Sequence, residues 1–131
     1  MGRLALPIFA LAILSQCSKT DPIICDLSSH PCSCDERTLF GGICTEYTGI
    51  SQEDFKGYCA DGTQSLTKTC ELKSRVGTCL MTMKSDKAKK DYQHYYSPAY
   101  TATTAEAFCK TGGTIVKVIS LGEMETEWLP E

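Results

Sequence analysis

Apolar residues open the chain in one block. Leu4 through Leu14 form an apolar run behind a single basic residue, Arg3, too short for a bilayer span, which needs about 20 helical residues. After Ser15 and Gln16 the chain turns polar, so residues 1–16 have the charged start and apolar run of a signal peptide. Beyond it, apolar positions are thinly spread and alternate rather than forming helical stripes. Residues 43–47, 63–69, 79–83, 92–97 and 114–121 are rich in β-branched, aromatic and Thr residues, and Leu80 and Thr82 against Met81 and Met83 show a partial two-residue alternation. These stretches predict strands.

Two short helices interrupt them. Ser51-Gln52-Glu53-Asp54 and Thr103-Thr104-Ala105-Glu106 each place a hydroxyl three residues ahead of an acid, the pattern of a helix start. Gly62 and the pair Gly112-Gly113 lie a few residues past Cys59 and Cys109 and predict early stops. Glu53 and Asp54 are explained by the cap and the helix dipole rather than as an acid and base pair.

Composition changes the picture through cysteine. Nine Cys in 131 residues are far above ordinary usage, and so short a chain needs cross-links to supplement a small core. With Cys17 set apart, Cys25, Cys32, Cys34, Cys44, Cys59, Cys70, Cys79 and Cys109 remain, an even set of disulfide candidates that implies an oxidising compartment. His30-Pro31-Cys32-Ser33-Cys34 superficially offers metal ligands, but the second cysteine pair of a structural zinc site is missing. No metal or cofactor is expected. A formal net charge of -3 argues against nucleic acid as a partner.

The cysteines recur. From Cys34 the chain reads CDERTLFGGIC, then TGISQEDFKGYC, then ADGT; from Cys70 it reads CELKSRVGTC, then AYTATTAEAFC, then KTGGT. This aligns Cys34 with Cys70, Cys44 with Cys79 and Cys59 with Cys109, and predicts repeat 1 over 34–69 (strand, helix, strand) and repeat 2 over 70–122 (hairpin, helix, strand), the hairpin turning at the polar residues 84–91. Residues 17–33 become an N-terminal tether and 123–131 an acidic, mobile tail, with Trp128 and Leu129 docking back on the domain. The fold class is α+β: a small disulfide-rich domain of two degenerate repeats, with an antiparallel sheet and both short helices on one face. The repeat favours within-copy bridges from Cys44 to Cys59 and from Cys79 to Cys109, leaving Cys25, Cys32, Cys34 and Cys70 to pair among themselves.

Leu14-Ser15-Gln16-Cys17 resembles the lipobox of bacterial lipoproteins, in which a Cys is lipidated and becomes the mature N-terminus. Gln16 stands where that motif usually has Gly, Ala or Ser, and ordinary signal-peptidase cleavage near Cys17 or Ser18 is the alternative. Ser18 and Lys19 after the Cys imply sorting to the outer membrane. Gly77-Thr78-Cys79, Tyr95-Tyr96-Ser97-Pro98, Tyr100-Thr101, Ala105, Cys109 and Gly112-Gly113-Thr114 resemble a segment of small exported, cysteine-rich proteins and lipoproteins of Gram-negative bacteria. The likeness covers about 40 residues and implies an envelope location with no activity attached.

Catalytic chemistry has little support. No P-loop, dinucleotide fingerprint, HExxH or GxSxG occurs, and the chain reads as non-enzymatic. Alternation over residues 92–96 puts Tyr92, His94 and Tyr96 on one strand face, a possible ligand patch or, more simply, an aromatic ladder that stiffens the hairpin. Four Lys against one Asp in residues 84–90 form a solvated tip that could touch anionic lipid or polysaccharide. The expected function is that of a cell-envelope lipoprotein anchored at Cys17, its cystine-bridged domain a binding or structural module that meets an envelope or extracellular protein. The alternative is a secreted soluble effector, inhibitor or toxin-like, that binds a protein target.

Overall fold

A computed structural model describes residues 21–39, 41–111 and 124–131. The signal peptide, Cys17, the Gly112-Gly113 stop and the strand expected over 114–121 lie outside the described residues. The chain forms β1 (Ser33–Asp35), β2 (Ile43–Thr48), α1 (Gln52–Phe55), β3 (Gln64–Ser65), β4 (Arg75–Met83), β5 (Lys90–Tyr96), α2 (Ala102–Lys110) and β6 (Met124–Pro130). All pairings are antiparallel in one six-stranded sheet of order β3-β1-β2-β5-β4-β6. This is a small disulfide-rich domain with two helices, in an oxidising, exported setting.

One row of directly opposed residues crosses the whole sheet: Gln64, Cys34, Thr45, Gln93, Cys79 and Trp128. Opposed residues share a face, so Cys34 and Cys79 point the same way, and each bridges to a residue at or just beyond a helix, Cys59 and Cys109. Both helices therefore cover one face. Under α2, whose Ala105 and Cys109 face the sheet, lie Ile43, Cys79, Met81 and Tyr95, with Trp128 packed against them; Phe55 of α1 packs with Cys34 and Ile50.

The helix starts follow their hydroxyls. Ser51 caps α1 by accepting from the Asp54 N–H. In α2 the cap is Thr101, in a reciprocal box with Thr104, two residues before the Thr103 expected from sequence.

Three expectations give way. The segment from Asp21 to Ser33 is no tether: a Cys25–Cys32 bridge closes a loop there, Ile24 pairs with Ser51, and the Cys25 N–H donates to the Ile50 carbonyl. The acidic tail is the edge strand β6, paired with β4 from Met83↔Met124 to Gly77↔Pro130, because its alternation sets Trp128 and Met124 against the core while Glu125 and Glu127 stay exposed. Trp128 docks by joining the sheet. The pairing of Cys44 with Cys59 also fails. Cys44 adjoins Thr45, which opposes Cys34, and neighbouring side chains on a strand point to opposite faces. Cys34 thus takes Cys59 on the helix side while Cys44 takes Cys70 on the other; Cys79–Cys109 is as expected.

Candidate functional site

The face turned away from the helices carries the buried polar chemistry. Along β2 and β5, Cys44 opposes His94 and Glu46 opposes Tyr92; across β4, Thr78 opposes His94. Strand alternation thus gathers Glu46, His94 and Thr78, with Cys44–Cys70 beside them, and all are buried.

The geometry fixes the proton on His94. Its Nδ1 lies 2.6 Å from Thr78 Oγ1 and 3.2 Å from an Arg75 guanidinium nitrogen, and its Nε2 lies 2.5 Å from Glu46 Oε1. A guanidinium can only donate, so Nδ1 accepts, and the ring proton sits on Nε2 and is donated to Glu46. Arg75 in turn pairs with Glu131 at 2.5 Å. A neutral imidazole therefore links the charges of Arg75 and Glu46, and among the described residues no buried side-chain N or O lacks a hydrogen-bond partner.

Tyr92, His94 and Tyr96 do share a face, as the alternation predicts. They do not form one open patch: His94 and Tyr96 are buried, Tyr92 is partly so, and the Tyr96 hydroxyl donates to the Glu71 carbonyl while Arg37 lies 5.0 Å above its ring. Burial pushes the Tyr96 phenol up to about 12. The Arg37 guanidinium, hydrogen-bonded to Asp35 at 2.7 and 2.8 Å, holds that carboxyl below its ordinary value.

Two surface clefts flank this cluster. One, of about 630 Å³, lies between the Cys25–Cys32 loop and the β4–β5 turn; Ile23, Ile24, His30 and Tyr92 are among its lining, and Ile23 and Ile24 are exposed. The other, of about 450 Å³, is bounded by Arg37, Lys73, Tyr96 and the cis Ser97–Pro98 peptide. Neither is lined by His94 or Glu46. His30 stands at the surface and donates and accepts through its backbone to Asp26. Residues 84–88 are an exposed turn, closed by Asp86 N–H to the Met83 carbonyl and Lys89 N–H to the Asp86 carbonyl.

The pairing of Glu46 with His94 escapes a reading of sequence because the two are 48 residues apart and meet only through the β2–β5 register. Its one trace in the sequence is a Glu set inside the strand-forming stretch that begins at Ile43. Comparison with family models, curated proteins and solved structures finds no match.

Proposed function

We propose that this protein is an exported cell-envelope lipoprotein, anchored through Cys17, whose bridged domain binds a partner and performs no catalysis. The observation that carries this reading is the state of its best acid–base groups. Glu46 and His94 are buried and engaged with each other, Thr78 and Arg75, whereas a catalytic pair must reach a substrate. The surface offered instead is the cleft of Ile23, Ile24, His30 and Tyr92, whose volume falls among ordinary recognition sites. Its lining begins at Asp21, four residues after Cys17 along the chain.

The domain is further read as a duplication of a strand-strand-helix-strand unit. The halves β1-β2-α1-β3 and β4-β5-α2-β6 enter the sheet as β3-β1-β2 and β6-β4-β5, related about the opposed pair Thr45 and Gln93. Cys34–Cys59 and Cys79–Cys109 then become equivalent bridges. This alignment equates Cys34 with Cys79 rather than with Cys70.

Intact mass tests the anchor. Protein exported by a Gram-negative host should begin at Cys17, carry a diacylglycerol and an acyl group, and gain two hydrogens for each of its four bridges on reduction. A mature chain without lipid would replace this reading with that of a secreted soluble effector.

A further inference from the structure

Cys44–Cys70 is the bridge on the face away from the helices, and it does not stand alone there. A ring nitrogen of His94, a carboxylate oxygen of Glu46 and the Cys70 sulfur lie within 4.8 Å of one another, all buried, and Cys44 is the direct strand partner of His94. We propose that opening this bridge creates a zinc site of Cys44, Cys70, His94 and Glu46.

The donor set suits the ion. Two thiolates, an imidazole and a carboxylate are tetrahedral zinc ligands, held about 3.3–3.8 Å apart when bound, so the Glu46–His94 pair, 2.5 Å apart, must open and the two sulfurs of the former bridge must part. The orienting shell is already in place. Nε2 faces Glu46 and is the nitrogen that takes the metal; its proton moves to Nδ1, where Thr78 Oγ1, 2.6 Å away, accepts it once the Arg75 guanidinium, which donates to Nδ1 in the bridged form, has turned aside. Two thiolates and a carboxylate around Zn²⁺ leave one negative charge, and the Arg75 guanidinium beside Nδ1 offsets it. Glu46 and His94 sit at strand positions and Cys70 comes from the connection between β3 and β4, while the Cys44 sulfur has to swing in to join these three.

The chemistry balances with a dithiol as reductant. Breaking the Cys44–Cys70 bond takes two electrons and two protons from that dithiol, which leaves as its own disulfide, and zinc binding then releases the two thiol protons. Oxidation of the pair expels the metal, so the site is gated by redox state.

Cys44→Ser in the full chain opens this bridge alone and leaves the Cys70 thiol beside His94 and Glu46. Titrated with Co²⁺ as the probe, C44S is expected to take one equivalent, with a thiolate-to-cobalt charge-transfer band and the strong d–d absorption of a four-coordinate ion. Excess Zn²⁺ should bleach both, and oxidised wild type should give neither. Adding His94→Gln should weaken cobalt binding at least about tenfold. A folded C44S without the thiolate band, or a band that His94→Gln leaves unchanged, overturns the proposal. If C44S does not fold, the reduced wild-type chain is refolded in a glutathione mixture with and without Zn²⁺. Zinc should then trap a product with free thiols at Cys44 and Cys70 and the other three bridges formed; the same four bridges with and without zinc would overturn the site.

Discussion

Trp128 occupies the space above Gly77: a Cβ added to that glycine would lie 2.2 Å from the indole Cζ2. The contact ties the edge strand β6 to the strand where β4 shifts register, between Arg75 and Gly77. An indole cannot shrink, so any side chain at position 77 must displace it from the core under α2.

Gly77→Ala should therefore destabilise the domain by about 2–3 kcal/mol, and Trp128→Ala by a similar amount or more. The double variant should be only slightly less stable than Trp128→Ala alone, because the clash with the indole is gone and the 3.1 Å approach to the Leu129 carbonyl is what remains. Urea denaturation of the four proteins checks this; simple additivity would show that Gly77 is needed for some other reason.

The bridges should map as Cys25–Cys32, Cys34–Cys59, Cys44–Cys70 and Cys79–Cys109. In the chain-entropy picture a span of 7 residues is worth about 2.4 kcal/mol and one of 25 about 3.5. Paired Cys→Ser changes at 25 and 32 should then cost less than those at 34 and 59. Peptide mapping without reduction and melting of the two variants measure both points.

Asp91 lies between Tyr47 and Met81 on the neighbouring strands, and desolvation pushes its carboxyl up from 3.8 to about 6. The facing phenols of Tyr47 and Tyr58 are themselves shifted upward, in part by Asp91. The fold thus holds this proton more tightly than the unfolded chain. Asp91 opposes folding little below about pH 4, and its cost grows through about pH 6 to at most about 3 kcal/mol. Asp91→Asn should remove that decline, so that the variant gains on wild type steadily between about pH 4 and about pH 7. Equal pH profiles for the two proteins would refute the assignment.

Removing one member of the buried Glu46–His94 pair leaves the other without its partner. Glu46→Ala leaves the buried Nε2–H unsatisfied and should cost about 1–3 kcal/mol, whereas Glu46→Gln keeps an acceptor for it and should cost less. Denaturant midpoints compare the two; similar losses would mean that the site needs the charge rather than the hydrogen bond.

What sequence could foretell was what a few adjacent residues decide. A hydroxyl caps its own helix, so Ser51 marked the start of α1, and a two-residue period is local, so Tyr92, His94 and Tyr96 fell on one face. Register is not local. Only the placement of β1 against β2 shows that Cys34 and Cys44 look opposite ways, and only the β2–β5 alignment brings His94 to Glu46. β1, three residues long, was too short to carry a pattern. In β6 the acids masked an alternation that was present: Glu125 and Glu127 made a strand look like a solvated tail.

The place of β6 also sets the order in which the fold can close. Residues 124–130 follow the other described strands in the chain, yet they pair with β4, near its middle, and supply the indole that covers Gly77. Until they pair, β4 presents a bare edge and an uncovered apolar floor. The half built on β1, β2 and α1 can close without β6, while the half built on β4 must wait for it, which leaves that edge open to strand-pairing with neighbouring chains until β6 is in place.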